Sequence, residues 1–166
     1  QELQDNLLNE FGKLDGLVHN ASILGTQMPI EQYDIKLWYS TIQINLNAPF
    51  MLTQFLIPAL LKSDDARIIF LSSTVGRKAR AYWGAYSVSK FGIEGFAKTL
   101  SEELEKTQIS VNTVNPGKLR TEMRRTAYPA EDSSTVPLPE EKSQAIVHLL
   151  SSSSPKINGE QLTISD

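Results

Sequence analysis

Tyr86 and Lys90 stand four positions apart in a stretch of helical periodicity. That spacing stacks the two side chains on one helix face, about a turn apart. A free phenol titrates near 10, so at neutral pH it is a poor base unless a neighbour lowers that value. An ammonium about 4 Å from the phenolate oxygen, at an effective dielectric of about 20, is worth about 4 kcal/mol, or nearly three pKa units before desolvation opposes it. Such a pair could give a proton to a carbonyl oxygen or take one from an alcohol. Alone, a tyrosine and a lysine at this spacing are more often surface or core-edge residues, so the chemistry depends on what surrounds them.

The surroundings follow from the order of elements. An amphipathic helix (Leu3, Leu7, Leu8, Phe11) leads through Gly12 and Gly16 into a short apolar run, Leu17-Val18-His19-Asn20, of the kind found in buried strands. From about Ile35 to Lys62 the spacing is helical, and Pro49 and Pro58 predict a kinked helix or two abutting ones. Arg67–Leu71 reads as a second buried strand, Gly84–Lys106 as the clearest helix, and Ile109–Val114 as a third strand stopped by Pro116-Gly117. Lys118–Val136 is polar with little periodicity, as in a long functional loop or lid. Glu140–Leu150 is a last helix and Gln161–Ile164 a last short strand. Strands alternating with helices of crossover length predict an α/β, doubly wound, Rossmann-like parallel sheet in one domain spanning residues 1–166. In such sheets ligands gather at the carboxyl ends of strands. There the sequence places Asn20-Ala21-Ser22, Ser72-Ser73 and Asn115-Pro116-Gly117, around one crevice with Tyr86 and Lys90.

Composition removes several other classes. With no Cys, thiolate metal sites and disulfides are excluded, and His19 and His148 have no ligand-like spacing, so no metal is expected. Both histidines read as packing or surface residues. A net charge of −3 argues against nucleic acid as the main partner. No apolar run approaches the length that spans a bilayer and no export signal opens the chain, so no membrane and a cytoplasmic location are expected. A serine hydrolase is disfavoured, because Ser73 has neither a Gly-X-Ser-X-Gly elbow nor a suitably placed His after it. The chain opens without Met inside a helical pattern, which reads as the absence of an upstream segment.

Ser73 followed by Tyr86-Ser87-Val88-Ser89-Lys90 resembles the active-site signature of the short-chain dehydrogenase/reductase family, serine-to-tyrosine distance included. His19-Asn20-Ala21-Ser22 is similar to the family's Asn-Asn-Ala-Gly, and Asn45, Asn115-Pro116-Gly117 with Thr121, and Asn158-Gly159 extend the likeness along almost the whole chain. Ser72-Ser73-Thr74-Val75-Gly76-Arg77 and Trp83-Gly84-Ala85-Tyr86 resemble the bacterial YciK-like branch. The resemblance implies hydride transfer between NAD or NADP and a small carbonyl or alcohol substrate. Tyr86 would be the general acid/base, and Ser73 would grip the reacting oxygen and stabilise its charge. Lys90 would also bind the nicotinamide ribose, and Asn45 would anchor a water linking Lys90 to solvent. By the same resemblance Asn20 and Ala21 line the adenosine side, Pro116, Gly117 and Leu119 wall the nicotinamide, and Thr121 reaches its carboxamide or the phosphates. A homodimer or homotetramer is implied as well.

Two residues depart from the family pattern: His19 replaces its first Asn and Ser22 its Gly. Nothing between Gln1 and Asn20 resembles the strand, glycine-rich loop and helix that hold a dinucleotide pyrophosphate, so the sheet is expected to lack its amino-terminal strands and that turn. The residues choosing NAD or NADP would lie there too. The rival reading is a non-catalytic scaffold or oligomerisation module. Arg77, Lys78 and Arg80, with Lys118, Arg120, Arg124 and Arg125, form two basic clusters that could flank the active-site mouth and favour an anionic substrate or cofactor; ordinary solvated charges are the simpler account.

Overall fold

The computed structural model describes residues 2–164. Four parallel strands lie in the order β1 (Gly16–His19), β2 (Ala66–Leu71), β3 (Ile109–Asn115), β4 (Gln161–Thr163). The register aligns Leu17 with Ile68 and Val111, and Val18 with Ile69 and Asn112. Alternation along a strand then decides the layers. Ala66, Ile68, Phe70, Ile109 and Val111 face the helices α3 (Ala48–Leu60) and α4 (Gly84–Glu103), where they pack on Leu56, Leu60, Ile93, Ala97 and Leu100. The opposite face carries Arg67, against the end of α6 (Pro139–Leu150), and Gly16, whose missing side chain admits Leu150. A sheet whose order advances in one direction through same-handed crossovers collects its helices on one face. Here the last crossover places α6 on the other, and the α/β two-sided layering predicted from sequence results.

The amino-terminal helix α1 (Glu2–Phe11) stops at Gly12, whose φ of +75° is the left-handed cap that glycine takes without strain. Residues 2–19 thus form a helix, a turn and β1, with no glycine-rich phosphate loop among them. Gln1, Ser165 and Asp166, included in the expected domain span, lie outside the described residues.

The Ile35–Lys62 stretch forms two abutting helices, one of the two expected forms, but the break between them is not made by a proline. Asp34 caps α2 (Ile35–Ile42) by accepting from the Leu37 amide at 2.8 Å, and a π turn over Gln43–Asn47 joins it to α3. The Ala48 amide reaches back to the Gln43 carbonyl, and Pro49 falls in the first turn of α3, where no backbone donor is needed. The irregularity therefore centres on Asn45. Within the expected loop Lys118–Val136 the structure has a short helix, α5 (Glu122–Ala127), whose N-cap Thr121 accepts from the Arg124 amide at 3.1 Å.

Candidate active site

A cleft of about 560 Å³ opens over the carboxyl ends of β1, β2 and β3. Its lining includes Asn20, Ala21, Ser73, Tyr86, Lys90, Pro116, Gly117, Leu119 and Thr121, so eight of the cofactor-contact residues expected from sequence and the expected catalytic serine meet in one place. Asn45 does not line it. Its side chain, 1% exposed, accepts from the Ile23 amide at 2.8 Å and donates to the Ile23 carbonyl at 2.8 Å and to Ser89 Oγ at 3.1 Å. These side-chain bonds clamp the strand-end loop onto α4.

Gly76 and Ser87 fix where Lys90 can stand. A Cβ on Gly76 would lie 2.8 Å from Lys90 Cβ and 2.9 Å from its carbonyl carbon, so only glycine lets α4 close on the turn after β2. Ser87 Oγ donates to the Val75 carbonyl at 2.6 Å from the same face. Lys90, 4% exposed, directs Nζ onto the Leu71 carbonyl at 2.8 Å and sits 5.6 Å from the centre of the Tyr86 ring. Burial pulls its pKa down to about 8, against a smaller upward pull from Glu94.

The expected electrostatics of the pair require correction. Burial raises the Tyr86 phenol above its ordinary value, and the Ser73 hydroxyl opposes that rise. Burial is the largest influence on the phenol, while the Lys90 ammonium is turned to the Leu71 carbonyl. Tyr86 therefore holds its proton at neutral pH, the form that a proton donor needs.

Sequence reasoning missed much of the cleft's apolar wall. Leu24, Val75, Trp83 and Tyr86 form a buried cluster on which Met123, Ala127 and Tyr128 of the α5 region pack. Trp83 lies 5.8 Å from both the Tyr86 and Tyr128 rings. Tyr128 is an isolated aromatic in a polar stretch, a weak signal in itself. Ser72 also lines the cleft, and its hydroxyl and that of Ser22 are buried without a hydrogen-bond partner among the described residues. Unpaired buried hydroxyls are costly unless a ligand meets them, which fits a polar ligand such as a ribose or amide in this cleft.

His19, as expected, packs: it stacks on Phe70 at 4.6 Å, and its Nε2 pairs with Thr53 Oγ1 at 2.8 Å. Burial lowers its pKa to about 4. His148 is exposed. The basic clusters are mostly spoken for. Arg77 binds Glu94 at 2.7 Å and the Leu162 carbonyl at 3.0 Å, tying α4 to β4. Arg120 binds the carbonyls of Val136 and Ser134, Arg124 makes a bidentate pair with Glu131, and Arg125 pairs with Glu122. Among the described residues no cluster of His, Asp or Glu could hold a metal, and no helix is long and apolar enough to cross a membrane.

The short chain dehydrogenase family model matches residues 1–132. "Uncharacterized oxidoreductase YciK" of Escherichia coli K12 is 44% identical over 139 residues, 84% of this chain and 55% of that protein. The 3-oxoacyl-[acyl-carrier-protein] reductase FabG of Salmonella typhimurium is 34% identical over 75% of this chain and 51% of its own length. The chain thus spans about half the length of the curated relatives it matches. Among solved structures, a short chain dehydrogenase from Salmonella enterica serovar Typhi superposes with a TM-score of 0.94 at 40% identity, covering 98% of this chain and 67% of that one. A Shigella flexneri chain described as a short chain dehydrogenase complexed with NADP gives 0.93 at 40% identity, with coverage of 98% and 67%. With the strand-end cleft, the serine, tyrosine and lysine around it and a family match over most of its length, this chain belongs to the short-chain dehydrogenase family.

Proposed function

We propose that the whole protein of which this sequence forms part transfers hydride between a nicotinamide cofactor, NAD or NADP, and a small carbonyl or alcohol substrate. The observation that carries this reading is the convergence of Ser73, Tyr86 and Lys90 on a cleft whose lining also includes Ser22 and Ser72, with hydroxyls buried and unpartnered among the described residues. The cofactor supplies or takes the hydride. Tyr86 donates its phenolic proton to the carbonyl oxygen in reduction, or accepts one from the alcohol in oxidation. Ser73 donates a hydrogen bond to the same oxygen and stabilises its developing charge. Lys90 holds positive charge beside the phenol and contacts the nicotinamide ribose. Asn20 and Ala21 line the adenosine side, Pro116, Gly117, Leu119 and Thr121 bound the nicotinamide, and Asn45 keeps the Ile23 loop against α4. Exposed Phe50, Met51 and Phe55 on α3 and Phe91 on α4 support a homodimer or homotetramer of the whole protein.

Tyr86→Phe in the whole protein tests the reading. Turnover of a ketone with NADPH or NADH should fall about a thousandfold while cofactor binding, read by nicotinamide fluorescence, persists. A variant that keeps its rate would overturn the assignment.

A further inference from the structure

A second cavity of about 480 Å³ adjoins the cleft and shares Ser73, Trp83, Asn115, Gly117, Arg124 and Tyr128 with it. The proposed reacting centre therefore stands where the two meet. The second cavity is lined by Lys78, Arg80, Lys118 and Arg124 and by no carboxylate, in a chain of net charge −3. Arg124 is neutralised by Glu131. Lys78, Arg80 and Lys118 form no ion pair among the described residues.

Arg80 differs from the two lysines in being held. Its Nη1 donates to the Tyr128 hydroxyl at 2.8 Å, and its guanidinium carbon lies 5.7 Å from the Trp83 ring centre and 5.5 Å from that of Tyr128. Aromatic faces orient a guanidinium without cancelling its charge, so its remaining N–H donors stay available for a carboxylate or phosphate. The seven cations noted in the sequence thus reduce to one preorganised arginine with two lysines beside it. The other four serve the scaffold.

We propose that this groove receives an anionic substituent, carboxylate or phosphate, carried by the carbonyl substrate, and that Arg80 is the residue that selects for it. The proposal rests on the hydride-transfer reading of the adjoining cleft. Oriented by Arg80, Lys78 and Lys118, such a substrate lies with its anionic end in the groove and its carbonyl oxygen toward Ser73 and Tyr86.

Two measurements separate this proposal from the reading beneath it. In the whole protein, the KM for 3-oxobutanoate is compared with that for its methyl ester. The wild type should favour the acid about tenfold, and Arg80→Gln and Lys118→Gln should each shrink that ratio, as should raising the salt. Equal KM values for the two ketones, or a ratio untouched by both substitutions, would overturn the proposal. Independently, inorganic phosphate is titrated against the tryptophan fluorescence of the whole protein in a Trp38→Phe background, with Trp83→Phe identifying the part of the signal that belongs to Trp83. A saturable change that Arg80→Gln abolishes is expected, and a silent wild type would overturn the anion site. Phosphate binding without turnover of either ketone would sustain the groove and sink the hydride-transfer reading.

Discussion

The two ends of β2 each hold a buried cation, and the structure treats them differently. At the amino end Arg67, 4% exposed, bonds both oxygens of Asp65 at 3.3 and 2.9 Å and the carbonyls of Leu149 and Ser154 at 3.0 Å each. At the carboxyl end Lys90, equally buried at 4%, has the Leu71 carbonyl at 2.8 Å as its one hydrogen-bond partner among the described residues. A buried charge with a carboxylate and several acceptors is part of the scaffold. One left with a single acceptor is destabilised in its charged form, and a pKa lowered to about 8 expresses that cost. Such groups gather where chemistry is done. The contrast separates structural from candidate catalytic charge at opposite ends of one strand.

The sharpest way to break the contrast is to remove each cation in turn. Lys90→Met should cut turnover of the whole protein about a thousandfold yet raise its unfolding free energy by about 2 kcal/mol, since an apolar chain of similar length replaces a poorly solvated charge. A destabilised Lys90→Met in urea denaturation would erase the distinction. Arg67→Met should do the reverse, losing about 3 kcal/mol of stability because Asp65 and two carbonyls lose their donor, with activity per folded molecule unchanged.

His19 is a third buried titratable group, and it meets burial by staying neutral. Its folded pKa of about 4 lies below the ordinary 6.5, so between those values the unfolded chain binds more protons. Its contribution is full above pH 6.5 and is lost, by about 3 kcal/mol, as pH falls to 4. Denaturation across that range should show this slope, and His19→Asn should flatten it. Lys90 gives a window on the alkaline side. Between about pH 8 and 10 the unfolded chain again holds the extra proton, so stability should rise with pH there, and Lys90→Met should remove the rise. Smallest is the effect of Gly76→Ala, which should cost about 2 kcal/mol by pressing on the Lys90 backbone. It should also lower turnover about tenfold, by displacing Nζ from the Leu71 carbonyl.

The sequence disclosed what short-range pattern controls. The four-residue step from Tyr86 to Lys90, the apolar runs of the strands and the polar residues just after them were legible, because period and punctuation are local. Long-range partners were not. Nothing near Arg77 announces Glu94 or the Leu162 carbonyl, and nothing near Lys90 says that its ammonium will turn to Leu71 or that burial will raise the Tyr86 phenol. Asn45 was noticed as a residue, but its bonds to Ile23 and Ser89 depend on a π turn that proline positions alone do not specify. Helix α5 is six residues long, too short for periodicity to reveal, and stands on its Thr121 cap and the packing of Met123 and Ala127.

The claim beneath all of this is that the lysine at the carboxyl end of β2 is buried with too few partners. Labelling lysine side chains with carbon-13 and following the Lys90 methylene resonance against pH measures that directly, with Lys90→Met supplying the assignment. The account predicts a midpoint of about 8. A midpoint near 10.4, where an ordinary lysine titrates, would contradict it.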